Sequence, residues 1–290
     1  MFWPGGLGKR RPDESHGTRR NGLRVVGNLP QHESSEDKTM RKSWKMRTGD
    51  LLNMDNNAKT VKGRKYGIAT AIMYLAPSDV SGYQTCPMAS AGCKIVCLNT
   101  AGRGGMNRTQ QARIRRTRRF FEQRAEFMLQ LEREIVGFLA LCERDGFKPA
   151  IRLNGTSDLK WERIGFTGAD GEVYRSMMER FPNVTFYDYT KIPVRYRQDR
   201  PSNYHLTFSL SESNDADAIE ALQSGVNVAA VFHKLPDGYH WTNSEYGIGG
   251  FTADVIPGDI TDMRFNDARG VIVGLTAKGA AKQDRTGFVR

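Results

Sequence analysis

The chain has 290 residues, 39% hydrophobic and 10% aromatic, and its 43 Lys and Arg against 32 Asp and Glu leave a formal charge of +11. That length and apolar content exclude a disordered or fibrous chain and fit one or two globular domains. The positive excess predicts a polyanionic partner, most simply nucleic acid and in the first instance DNA. No apolar run reaches the roughly 18 residues of a membrane span, and the amino terminus lacks the order of a secretory signal. The sequence therefore predicts a protein of the cytoplasm.

Residues 1–60 are rich in Gly, Pro, Arg, Lys, Ser and Asn without an apolar period, which predicts a poorly ordered basic tail. Residues 61–290 are predicted to form one catalytic domain. Its first clear element is the apolar run Tyr66–Leu75, closed by Ala-Pro-Ser and read as a buried strand. Cys86, Cys93 and Cys97 follow within twelve residues, and the rest of the chain has only Cys142. Ordinary buried thiols would not need to cluster in a Gly/Ala/Ser-rich loop. Three thiolates converging on an iron–sulfur cluster or a zinc ion explain it better, and three protein ligands leave one position open for chemistry. The gaps of six and three residues match neither a zinc finger nor a common ferredoxin run, so spacing does not name the metal. His205, His233, His240 or a small molecule could complete the site. So few cysteines suit a reducing compartment.

A helix is predicted over 107–144, with Ile114, Phe121, Met128, Leu131, Ile135, Phe138 and Cys142 along one face. Cys142 belongs to that core stripe. The first turns carry Arg108, Arg113, Arg115, Arg116, Arg118 and Arg119, six arginines in twelve residues. The planar guanidinium matches phosphate oxygens, so Arg108, Arg113, Arg115, Arg116 and Arg119 are the candidate nucleic-acid contacts. A solvated face balanced by Glu122, Glu126 and Glu132 is the plainer alternative.

Beyond Gly146, strands at 150–154, 184–190, 204–211, 226–232 and 271–275 alternate with helices at 171–181 and 215–224. That alternation predicts an α/β fold with parallel strands and crossovers. A βα-barrel of the triosephosphate-isomerase type, complete or incomplete, is favoured over an open doubly wound sheet. Polar residues recur at one end of successive strands, where barrel active sites lie. The catalytic candidates there are Asp158, Asp188 and Lys191, as proton carriers, nucleophile or anion anchor. Gly155, Thr156, Ser157 and Ser209 are candidates for cofactor binding. Helix capping explains Asp158 equally well.

The segments Thr85–Cys97, Ile151–Asp158, Phe186–Lys191 and Gly225–Phe232 resemble a family of phage and plasmid proteins called gene product 88, over about residues 60–280. The resemblance implies a phage-like origin and a barrel more than an activity. Placing three cysteines after the first barrel strand is also similar to the radical S-adenosylmethionine enzymes, in which they hold a [4Fe–4S] cluster. In that analogy Gly155–Asp158 would meet the amino group of S-adenosylmethionine. Phage guanine transglycosylases are similar as basic barrels that exchange bases at an aspartate, a role for Asp158 or Asp188.

These observations lead to a phage-type enzyme that modifies a nucleic-acid base beside a three-cysteine metal or iron–sulfur site. The alternatives are a DNA guanine transglycosylase inserting a 7-deazaguanine, and a non-catalytic DNA-binding protein braced by zinc.

Overall fold

The computed structural model describes residues 44, 49–54, 61–235, 240–242 and 251–290. Most of the expected tail lies outside them, but its described part is core. Trp44, Leu51 and Leu52 are buried, and the Leu51 and Leu52 amides donate to the Glu134 carboxylate at 2.8 Å. Leu52–Asn53 (β1) then pairs antiparallel with Ile68–Met73 (β2).

β2 is buried at every position, the pattern of a parallel strand covered on both faces. It pairs with Lys148–Arg152 (β3). A small hairpin of Phe166–Thr167 (β4) and Val173–Tyr174 (β5) follows. Thr185–Thr190 (β6), Tyr204–Ser209 (β7) and Val228–Phe232 (β8) extend the main sheet, followed by His240–Thr242 (β9), Thr252–Pro257 (β10) and Ile272–Thr276 (β11). The order is β1-β2-β3-β6-β7-β8-β11-β10-β9. From β2 to β10 every neighbouring pair is parallel, and β1 and β9 are antiparallel edges. The α/β expectation is met by this mostly parallel sheet. No ladder joins β1 to β9 among the described residues, so the ladder order is that of an open sheet, not a closed barrel.

Among the described residues five helices complete the fold: Ala91–Ile95 (α1), Asn107–Glu122 (α2), Arg124–Asp145 (α3), Met177–Arg180 (α4) and Asp215–Gln223 (α5). The helix expected over 107–144 is thus two helices, broken at Gln123 (φ −132°, ψ 54°). Arg124 stabilises the break: its Nε donates to the Phe120 carbonyl at 2.6 Å and its guanidinium stacks on the Phe120 ring. The helix expected over 171–181 shrinks to α4, because Gly171 at φ +85° turns the β4–β5 hairpin.

Side chains alternate across the sheet. Ala69, Ala71, Met73, Ile151, Leu153 and Phe186 share one core cluster with Phe127, Met128, Leu131, Ile135, Phe138 and Cys142 of α3. Ile68, Ala150 and Tyr187 point to the other face and meet Met263, from the loop between β10 and β11. In that loop Asp262 accepts from the Tyr187 hydroxyl at 3.1 Å and from Arg152 Nη1 at 3.3 Å. Both faces of the sheet are therefore covered, and its carboxyl edge is where loops gather.

Candidate functional site

β2 ends at Met73 and feeds the cysteine loop. The loop is tied down before its first cysteine. Ala76 N–H donates to Thr117 Oγ1 at 2.8 Å, Thr85 Oγ1 to the Ala76 carbonyl at 2.6 Å, and Asp158 N–H to the Thr85 carbonyl at 2.8 Å. Cys86 is thereby held against the loop after β3, its Sγ 3.8 Å from the Thr156 carbonyl. Cys93 lies in α1, and Cys97 immediately follows that helix. All three thiols are free and half-buried. Their charges couple in series, Cys86 with Cys97 and Cys97 with Cys93. Burial pushes the Cys86 thiol up to about 11 and also raises Cys97, against the opposing pull of the Arg113 and Lys191 cations on Cys97.

The cysteines thus gather at one edge, but among the described residues no three His, Cys, Asp or Glu side chains are placed to hold a metal ion. Of the suggested histidines, His205 lies at the opposite edge and His233 at the carboxyl end of β8. His205 is near the amino end of β7, beside Phe265, and His233 is exposed after β8. The side chain of His240 is outside the described residues.

The loops after β3 and β6 bring the other candidates to the same edge. Gly155 N–H donates to the Met73 carbonyl at 2.9 Å, and a Cβ on Gly155 would sit 2.5 Å from that oxygen. Only glycine permits this approach. Thr156 Oγ1 donates to the Leu75 carbonyl at 2.5 Å and Ser157 Oγ to Asn154 Oδ1 at 2.9 Å. These hydroxyls brace loops. Lys191 Nζ donates to Ser209 Oγ at 2.7 Å, and the ammonium lies 5.2 Å from the Phe288 ring centroid.

The two aspartates differ. Asp158 is buried; Oδ2 accepts from Lys191 N–H at 2.7 Å, and Oδ1 faces Arg197 Nη1 at 3.7 Å with no hydrogen-bond donor among the described residues. Burial raises its carboxyl, opposed by the Lys191 amide and the Arg197 charge. Asp158 is thus enclosed beneath the loop, with Cys86 near enough to feel its charge.

Asp188 is instead enclosed. It accepts from Asn154 N–H and the Tyr204 hydroxyl, each at 2.8 Å, with Arg152 Nε 3.8 Å away. Burial outweighs these contacts and pushes its carboxyl to about 7. The native state then holds a proton that the unfolded chain has released, so stability falls as pH rises between about 4 and about 7 and levels off above. The expected loss from pH 5 to pH 7 is on the order of 2–3 kcal/mol. Asp188→Asn removes this term, so urea unfolding of the two proteins at both pH values should show the variant gaining relative stability at pH 7. A constant difference would refute the assignment.

The structure separates the arginines. Arg113 is buried, its Nη1 bound to the Asn99 carbonyl at 3.0 Å and to Asn99 Oδ1, and its guanidinium stacked on Tyr74. Arg116 donates to the Tyr74 carbonyl at 2.7 Å and the Asp50 carbonyl at 2.9 Å. Arg119 donates to Gln130 at 2.9 Å. Arg108 and Arg115 face solvent. The cluster therefore divides into Arg113, Arg116 and Arg119, which lock α2 to neighbouring segments, and Arg108, Arg115 and Arg118, which are exposed, the last also donating to the Ser81 carbonyl at 3.1 Å.

A profile of the gene product 88 family matches residues 50–290. The chain belongs to that family. No curated protein and no solved structure matches it. The gene product 88 match begins at Asp50 and so takes in β1, the edge strand that sequence reading left in the tail.

Two further residues belong to this family member's site: Arg197, which sequence reading passed over, and Glu212, which it named only among the polar residues at the strand ends. Arg197 is fully buried and pairs with Glu162, Nε to Oε1 at 2.6 Å and Nη2 to Oε2 at 2.7 Å, while Nη1 donates to Thr190 Oγ1 at 3.1 Å. Glu212 binds the cysteine loop from the turn after β7. Neither carries a local signal, because each partner is distant in sequence.

Proposed function

We propose that this protein is a nucleic-acid base-modifying enzyme whose cysteines hold an iron–sulfur cluster at the mouth of an incomplete βα-barrel. The observation that supports the reading is three free thiols on one loop, held beside Asp158 and Lys191 at the carboxyl edge of parallel strands, the edge where α/β enzymes place their chemistry.

Cys86, Cys93 and Cys97 would be the thiolate ligands of the cluster, with one position left open for chemistry. When bound, the cluster would supply one-electron chemistry at the strand ends. The protein's own residues do the rest. Asp158 holds the Lys191 amide, and Lys191, with its ammonium held by Ser209, presents a cation. Two partly buried tyrosines lie near the strand ends, each beside a buried arginine. Arg113 lies 5.1 Å from the Tyr74 centroid and Arg152 4.6 Å from that of Tyr189. A base in a duplex must leave the stack to reach such a mouth.

The test is incubation with DNA and with RNA under reducing, anaerobic conditions, followed by digestion to nucleosides and mass analysis. A new nucleoside mass supports the reading; unchanged polymers across substrates and reductants count against it. Arg108→Ala/Arg115→Ala is expected to weaken DNA binding and lower the slope of log affinity against log salt by about two. An unchanged slope would remove these arginines from the interface.

A further inference from the structure

The turn after β7 delivers a carboxylate to the cysteine loop from 120 residues away. Gly92 N–H donates to Glu212 Oε1 and Ser90 Oγ to Oε2, both at 2.8 Å. Ser90 Oγ in turn accepts from the Cys93 amide at 3.2 Å. A carboxylate, a hydroxyl and a cysteine amide thus form one chain. Space is tight: a Cβ on Gly92 would lie 2.8 Å from Glu212 Oε2 and would meet Thr286 Oγ1 more closely still. Thr286 is itself held by Asp284, whose Oδ1 accepts from its hydroxyl at 2.7 Å. Three segments distant in sequence lock at this point: the cysteine loop, the β7 turn and the stretch after β11.

We infer that Glu212 is a positioning residue that fixes Cys93 relative to the other two thiols. Cys86 does not need it, since Thr85 and Asp158 anchor that end of the loop. Cys97 leads into the turn fixed by Asn99, Gln110 and Arg113. Cys93 stands between these anchors on a helix of five residues, and the bonds from Glu212 tie that helix to the sheet. A carboxylate acceptor makes stronger hydrogen bonds than a neutral one, which suits a tie that must hold a ligand still. The positional claim stands on the geometry alone; its consequence for a cluster rests on the function proposed above.

The experiment separates the two. Wild type, Glu212→Ala and Glu212→Gln are prepared metal-free and reduced as full-length chains. Alkylation by iodoacetamide is then timed at each cysteine by peptide mass analysis. Glu212→Ala should raise the Cys93 rate about tenfold, the scale of one lost charge-assisted hydrogen bond, while Cys86 and Cys142 stay near wild type. Glu212→Gln, whose amide oxygen still accepts from Gly92, should lie close to wild type. Equal Cys93 rates in all three proteins, or a uniform rise that includes Cys142, would overturn the assignment. Iron reconstitution is read beside it. Wild type that takes up iron, with an altered electron paramagnetic resonance signal in Glu212→Ala, extends the role to the cluster. Wild type that takes up none overturns the cluster reading, and the alkylation rates still decide the role of Glu212.

Discussion

Arg197→Met is expected to destabilise the protein by about 3–5 kcal/mol, the usual cost of removing one partner from a buried ion pair. Arg197 is 0% exposed, and the Glu162 carboxylate it binds is almost as deeply enclosed. Without the guanidinium, Glu162 keeps a charge with no counterion in a medium that solvates it poorly, and Asp158 loses its facing cation. Arg197→Lys should recover only part of the loss, because an ammonium cannot bind both carboxylate oxygens as the planar fork does. Arg197→Met/Glu162→Met should recover more, since it deletes both charges together. Urea midpoints compared at constant m-value measure all three. A single-variant loss below about 1 kcal/mol, the scale of a surface pair, would show that the pair is not enclosed in solution.

The second large effect concerns the cysteines. Cys86→Ala/Cys93→Ala/Cys97→Ala is expected to abolish iron binding, with roughly four irons per chain in wild type after anaerobic reconstitution falling to background. The brown colour should vanish with the iron. The thiols are only half-buried, so removing them leaves the metal-free fold largely intact, and Cys142→Ala serves as a control that perturbs only the core. One zinc per chain, or no metal in wild type, would redirect the reading to base exchange at an aspartate or to a zinc-braced DNA-binding protein. Release of free guanine from DNA would then distinguish those two.

Much of the sheet was legible in the sequence because its signals are local. The strand at β2 announces itself as an unbroken apolar run, and the stripe from Met128 to Cys142 is the buried face of α3. The break at Gln123 was not legible, because the apolar period continues through it and Arg124 stabilises it by a contact on the ring of Phe120. β10 escaped notice: its sequence, Thr-Ala-Asp-Val-Ile-Pro, is interrupted by a charge and ends in a proline. The site residues divide in the same way. Cysteine clustering was visible, and so were the aspartates at strand ends. Their inequality was not, since Asp188 differs from Asp158 only through Tyr204, Asn154 and Arg152 arriving from other strands. The arginine cluster was visible as charge, but the inward turn of Arg113 and Arg116 depends on carbonyls at Asn99, Tyr74 and Asp50.

The sheet order has a consequence for synthesis. β2, β3, β6, β7 and β8 add to the sheet in the order in which they are made, each finding its neighbour already in place. β10 breaks the sequence: its parallel neighbour is β11, which the ribosome delivers later and which must settle between β8 and β10. Until then two strand edges stand open, and open edges recruit other chains. A nascent chain stalled after β10 would therefore be the most aggregation-prone intermediate, and arrival of β11 would close both edges in one step.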